Sequence, residues 1–320
     1  MPKLDNKKVP KKTLNRVQDL INKSNWPQGI ITVNDLLKEY PTSHELYTCK
    51  AICLSYLNKF DQSKEALELS KEFGCKLSEY KANIAELYST IGNYHYNKNE
   101  YEEALEAFTK SLEGSRNPSI HLSNIGNVLI KLGRREEANQ YYLKSIESDN
   151  KNIIAHSNLA NSLIESKEYK LALKPAEKCH ELDDIQPFYV ITLGRVLLGL
   201  NEYEDALKVF NKLKMIAPNA PSSYYFIVST LLKLKKYKEI INVLKSVDDL
   251  IKDQADLVNI LGVAYLESNE VDKSIVLFKK AKVIDPKNSA SYLNLSNAYK
   301  RKGMDEESQI EFGKYQKIIK

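Results

Sequence analysis

SIHLSNIGNVLIKLGRREEANQYYLKSIESDNKN, residues 119–152, is the stretch from which the rest of the chain can be read. Its small residues Gly126 and Ala138 recur as Ala160 and Ala172, Gly194 and Ala206, Val228 and Ile240, Gly262 and Ser274, and Ser296 and Ser308. Every step has the same length, that from Gly126 to Ala160, and the same step backwards lands on Gly92 and Ala104. Seven units therefore keep one register without insertion or deletion. A fixed period in this range marks a solenoid, in which each unit is one supersecondary element that cannot bury its apolar face alone.

Composition agrees with a folded, helix-rich chain: of 320 residues, 42% are hydrophobic and 28% charged. An ordinary fold of this length would divide into about two domains, because single cores stop growing beyond roughly 250–300 residues; a stacked array escapes that limit. The formal charge of +5 is unevenly placed. Lys3, Lys7, Lys8, Lys11 and Lys12 against Asp5 put +4 of it in the first twelve residues, so the remainder is nearly neutral. That argues against a nucleic-acid binder, which needs a basic stripe to neutralise phosphates. Cys49, Cys53, Cys75 and Cys179 show no metal-ligand spacing and read as buried reduced thiols. No apolar run reaches the roughly 20 residues of a membrane span or the length of a signal peptide, which predicts a cytoplasmic protein with no membrane contact.

Along the chain, residues 1–11 read as a disordered basic tail, and 12–80 as two degenerate helix pairs. Seven units in strict register follow over 85–320. Anchored on Gly29, Ala66 and Ala104, the two early steps are three and then four positions longer than the later ones. The surplus around Gly74–Tyr80 predicts a lengthened first helix, because Leu77, Tyr80, Ile84 and Leu87 continue helical spacing. Tyr56, Leu57, Phe60, Ala66 and Leu69 are the expected core of the second pair, and Pro175 is expected to kink the helix that contains it. A glycine repeated inside a helix costs about 1 kcal/mol against alanine, so its recurrence implies close approach of two helices.

Leu193-Gly194, Tyr203-Glu204-Asp205-Ala206, Phe210 and Ala217-Pro218 carry a resemblance to the tetratricopeptide repeat family. Leu261-Gly262, Tyr265, Phe278, Ala281 and Asp285-Pro286 carry it again. The resemblance implies an all-α, right-handed α-solenoid of about nine stacked helix-turn-helix units. Val228 and Ile240 depart from the pattern and are expected to splay their pair.

In such an array the first helices line the groove where partners bind. Two before and one after the small position stand Thr90 and Asn93, Asn124 and Asn127, Asn158 and Asn161, Thr192 and Arg195, Phe226 and Ser229, Ile260 and Val263, and Asn294 and Asn297. Asparagine is a mediocre helix former, yet it fills both places in three units. Its amide carries donor and acceptor and can pair with the backbone of an extended peptide; the same amides can instead bridge neighbouring units. Asn124, Asn158 and Asn294 resemble the asparagine ladder in the repeat region of nucleocytoplasmic O-linked N-acetylglucosamine transferases, here without the catalytic domain. That resemblance implies a chain held by these amides, and Thr192, Phe226 and Ile260 interrupt the ladder. Phe188, Ile191, Arg195, Leu198, Tyr225, Phe226 and Leu232 form a second zone, an aromatic and aliphatic patch rimmed by one arginine. Asn294, Asn297, Lys300 and Arg301 form a third zone, suited to a carboxylate.

These residues predict a non-catalytic scaffold binding an extended peptide or partner protein through Asn93, Asn124, Asn127, Asn158, Asn161, Arg195, Tyr225, Phe226, Asn294 and Asn297. The alternative is a targeting or regulatory subunit of a separate enzyme such as a glycosyltransferase. The carboxylate clamp of co-chaperones lacks its cations, because Ser89, Ile154 and Asn158 stand where basic residues are needed. His44, His95, His121, His156 and His180 are scattered, no Gly-rich phosphate loop occurs, and no catalytic residue, metal or cofactor is called for. Ile310, Phe312, Tyr315, Ile318 and Ile319 on the last helix predict either inward packing or weak self-association.

Overall fold

The computed structural model describes residues 8–320. Among them it contains nineteen α-helices and no strand. In chain order they are α1 (Lys11–Asn22), α2 (Trp26–Glu39), α3 (His44–Tyr56), α4 (Phe60–Glu72), α5 (Leu77–Asn97), α6 (Tyr101–Ser111), α7 (Pro118–Lys131), α8 (Arg135–Ser148) and α9 (Ile153–Glu165). There follow α10 (Tyr169–Leu182), α11 (Pro187–Gly199), α12 (Tyr203–Ile216), α13 (Pro221–Lys233), α14 (Tyr237–Lys245), α15 (Asp248–Ile251), α16 (Ala255–Glu267), α17 (Val271–Ile284), α18 (Ser289–Arg301) and α19 (Asp305–Ile318). Apart from the one-turn α15, they form nine helix-turn-helix pairs, an all-α solenoid. The described residues divide into two compact units, the first ending at Ser162 and the second spanning Leu163–Lys320.

Each tight turn is closed by a residue in the left-handed region. Asn99, Gly133, Lys167, Asn201, Lys235, Asn269 and Gly303 all have φ between 56° and 77°, and they follow one another at the period of the small residues. Glycine suits this conformation because it has no Cβ to meet the carbonyl, and asparagine because its short polar side chain can hydrogen-bond locally. Lys167 and Lys235 adopt the same conformation at the corresponding turns.

The close approach expected of the small residues has a specific partner. A Cβ added at Gly92 would meet the ring of Phe108 at 2.7 Å; at Gly126, Tyr142 at 2.5 Å; at Gly194, Phe210 at 2.3 Å; at Gly262, Phe278 at 2.6 Å. All four aromatic side chains are at most 2% exposed. In each case the ring lies sixteen residues after the glycine, so the bare face of one helix accepts a ring from the next. Val228 breaks this rule together with its counterpart, since position 244 is leucine and both side chains are fully buried. The bulk added on one helix is thus removed from the other, and Val228 and Ile240 sit in a filled core.

The early register differs from the expectation. Measured at the turns, Ser24 to Asn58 is one ordinary period, and Asn58 to Asn99 exceeds it by seven positions. Ser63, not Ala66, therefore occupies the place of Ala104, and Gly29 to Ser63 restores the ordinary step. Ser63 fits there because its hydroxyl is buried and donates to the Ala51 carbonyl at 2.8 Å. The whole seven-residue surplus lies in α5, which has 21 residues where α7 has 14.

Of the stretch expected to be a disordered tail, residues 1–7 lie outside the described residues. Val9 is buried with Val17, Ile21 and Val33, and Lys11 begins α1. Tyr56 lies outside the core expected of it: it is 46% exposed and stacks on Trp26 with centroids 4.3 Å apart. Helix α10 runs through the buried Pro175 without ending. The four cysteines are buried and form no disulfide with one another. Burial pushes the Cys49 and Cys179 thiols up to about 12 and that of Cys53 to about 11, which removes the thiolate needed for reactivity. Among the described residues no helix is long and apolar enough to cross a membrane.

Candidate partner-binding surface

In the first unit, residues six before, two before and one after the small position share one helix face. On α5 these are Glu86, Thr90 and Asn93; on α7, Ile120, Asn124 and Asn127; on α9, Ile154, Asn158 and Asn161. Ile120 and Ile154 are 55% and 58% exposed. A depression of about 480 Å³ between α5 and α7 is walled by Asn83, Glu86 and Asn93 on one side and by Arg116, Ile120 and Asn124 on the other. A second, of about 450 Å³, shares Glu86 and Asn93 and adds Tyr56, Thr90 and Asn97. Glu86 and Asn93 thus belong to both, and the two depressions adjoin.

The asparagines separate into two groups. Asn127 Oδ1 accepts from Tyr142 Oη at 2.8 Å and from Asn158 Nδ2 at 2.6 Å. That pair bridges α7, α8 and α9. Asn161 Nδ2 donates to the Ser157 carbonyl of its own helix at 2.8 Å. Asn294 Nδ2 donates to Asn259 Oδ1 on α16 at 3.1 Å. Asn93 and Asn297 are exposed, and the half-buried Asn124 lines the first depression. The structure brings Asn93 and Asn124 to one site and engages Asn127, Asn158, Asn161 and Asn294 in bonds within the protein.

Beneath Asn124, His121 is buried, with Nδ1 at 2.9 Å from Ser111 Oγ, which donates in turn to the Phe108 carbonyl. Burial pushes this imidazole below its ordinary value, against the opposing field of Glu86. It therefore serves as a neutral wall of the depression near pH 7.

In the second unit, Tyr225 and Phe226 lie on α13. The Phe226 ring stacks on Phe210 with centroids 4.9 Å apart and planes 12° from parallel. Tyr225 is 40% exposed and meets Phe226 edge-on. They line a depression of about 550 Å³, and its polar residues include Asp253, Asp256 and Asp285 but not the exposed Arg195. The expected arginine rim is a carboxylate rim. In the third zone, Arg301 donates to the Leu266 carbonyl at 3.1 Å and to Glu267 at 2.5 Å. Arg301 and Asn294 of this zone thus make bonds within the protein, while Asn297 and Lys300 are exposed.

Sequence reasoning missed Ile120, Ile154 and the three aspartates. A signal existed for the first two: Ile120, Ile154 and the 52% exposed Phe188 lie one period apart, a large apolar residue kept at one solvent-facing register position. The aspartates carried none, because two of them precede or begin α16 where α14 and α15 break the pattern of the other units.

Models of the tetratricopeptide repeat match residues 85–113 and 122–152. Among solved structures, the C-terminal part of a TPR repeat-containing protein from Cytophaga hutchinsonii has a TM-score of 0.55 at 16% identity, covering 88% of this chain and 99% of that one. YrrB, described as a TPR protein with an unusual peptide-binding site, has a TM-score of 0.51 at 24% identity over 58% of this chain and 96% of its own. PilF of Pseudomonas aeruginosa has a TM-score of 0.50 at 16% identity over 67% and 95%. At these identities the likeness is one of fold. Comparison with curated proteins gave no match. The chain thus contains tetratricopeptide repeats, two of which match the repeat's models over residues 85–113 and 122–152, and the frame of turns and glycine–aromatic contacts extends beyond them.

Proposed function

We propose that the chain is a non-catalytic interaction scaffold that holds an extended segment of a partner protein against the first-helix face of its first unit. The observation that carries this reading is the pair of adjoining depressions sharing Glu86 and Asn93, with Asn124 and the exposed Ile120 on the facing wall. An extended strand presents alternating backbone amides and side chains. Asn93 and Asn124 supply donors and acceptors for the former, and Ile120 supplies an apolar contact for the latter. Ile154 repeats that apolar contact on α9, beside the Asn127–Asn158 bridge, whose role is to fix the spacing of the helices. Buried thiols of raised pKa suit the reducing cytoplasm in which we place the protein.

Substituting Asn93→Ala together with Asn124→Ala is expected to cut recovery of bound partners in a pull-down roughly tenfold, with helicity unchanged, since each lost hydrogen bond is worth about 0.5–1.5 kcal/mol. Equal recovery by the variant and the intact protein would remove this face as the binding site. The last helix supplies a second contact surface. Phe312 and Ile319, seven residues apart and so on one face, are 42% and 57% exposed, and we assign them to weak pairing with another chain. Sedimentation at high protein concentration is expected to show a dimer that Phe312→Ser abolishes; a monomer at every concentration would refute the pairing.

A further inference from the structure

The depression on the second unit has chemistry unlike that of the first. It arises where the repeat is irregular. Helix α14 stops after nine residues, and the added turn α15 delivers Asp253 and Gln254 to the start of α16. One wall is aromatic, made by Tyr225 and Phe226, with Phe226 held in place by its stack on Phe210. The rim carries Asp253, Asp256 and Asp285, and neither lysine nor arginine lines it. Asp256 Oδ1 accepts from Asn288 Nδ2 at 2.7 Å, and Asp285 Oδ1 from the Lys287 amide at 2.9 Å. Each bond uses one oxygen and leaves the other carboxylate oxygen available.

A cavity of about 550 Å³ accommodates a long side chain and its flanking backbone. An aromatic face rimmed by uncompensated carboxylates attracts a cation twice over, through the ring quadrupole and through the negative field. A guanidinium satisfies both, because it stacks on a ring and donates to carboxylates in one plane. We propose that this depression receives an arginine or lysine side chain of a partner polypeptide, so that the second unit selects basic segments. The proposal takes polypeptide as the ligand from the scaffold reading, but it uses none of the residues of the first-unit face.

The test is fluorescence anisotropy of the full chain with a labelled peptide of alternating Arg and Ser at low ionic strength. A Glu/Ser peptide serves as control. Saturable binding of the basic peptide alone is expected. Asp253→Asn with Asp256→Asn weakens it by roughly tenfold, from two ion pairs each worth a few-fold. Tyr225→Leu weakens it several-fold while Tyr225→Phe does not. The pull-down with Asn93→Ala and Asn124→Ala reports on the first-unit face and the Asp253/Asp256 and Tyr225 variants report on this pocket, so failure of the one and failure of the other are read separately. All three substituted pocket residues are exposed, and unchanged helicity verifies the fold. The proposal is overturned if no saturable binding occurs, if the Asp variants bind as the intact protein does, if the acidic peptide binds equally, or if spermine at matched charge binds as tightly as the peptide.

Discussion

Phe210→Ala is expected to lower the stability of the second unit by about 3–5 kcal/mol, the cost of emptying a buried aromatic site that cannot collapse. The ring is fully buried, seated on Gly194 on one side and stacked on Phe226 on another, so its removal opens two contacts at once. Gly194→Val attacks the same contact from the other helix. Its Cβ would stand 2.3 Å from two ring atoms of Phe210, and the ring has no free direction to move. Overpacking of this kind costs about 1–3 kcal/mol. The informative experiment is the pair: Gly194→Val with Phe210→Leu recreates the combination already present at Val228 and Leu244, two fully buried side chains of one unit. Thermal melts of the two single variants and the double variant are expected to show the double variant less damaged than the sum by about 1 kcal/mol or more, the scale of coupling between touching residues. Additive losses would show that the sixteen-residue pairing is a coincidence of the repeat rather than a packing rule.

That rule also shows how far the sequence could be read. Periodicity is a property of residue type at fixed spacing, so Gly126, Gly194 and Gly262 revealed the units without any structure. The second pair resisted the same reading because serine holds there the place that Ala104 holds in the next. Ser63 is tolerated there through its bond to the Ala51 carbonyl, and the more familiar Ala66 drew the register three residues aside. The candidate surface was legible only in part for a different reason. An asparagine on a first helix is the same letter whether its amide meets solvent, as Asn93 does, or spans to the next helix, as Asn158 does to Asn127. Distances between units decide that, and composition does not encode them. The carboxylate rim beside Tyr225 was hidden because it depends on α14 ending at Lys245, where Ser246 and the Asp248–Asp249 pair favour a new start over continuation.

Removing the carboxylate of Glu311 is expected to loosen α19 by about 3 kcal/mol, the low end of the cost of breaking a buried ion pair. Glu311 is 8% exposed, pairs with the largely buried Lys282 of α17, and accepts from Lys314 at 2.9 Å. Lys282 also lies over the Tyr292 ring, 4.5 Å from its centroid. Glu311→Ala leaves the Lys282 ammonium in this partly desolvated place without its anion, and breaking such a pair costs about 3–5 kcal/mol when burial is complete; Tyr292 and residual solvent place the loss at the lower end. The carboxyl also sets a pH dependence. Burial by itself raises its pKa, but the hydrogen bonds from Lys282 and Lys314 outweigh burial and hold it below the ordinary glutamate value. A group with a folded pKa below its unfolded one contributes stability that is fully present above the unfolded value and is lost as the pH falls through the folded one. Amide hydrogen exchange along 305–318, corrected for the intrinsic rate at each pH, is therefore expected to accelerate on acidification below about pH 4.3, the unfolded glutamate value. In Glu311→Gln it should be fast already at neutral pH and respond little to acid. An intact protein whose α19 amides keep the same protection factor at pH 7 and pH 3 would show that the ion pair does not hold the last helix. Its attachment would then rest on its other contacts with α18, among them Ser308, bonded to Ser296 at 2.8 Å and 3.0 Å, and the apolar packing of Met304.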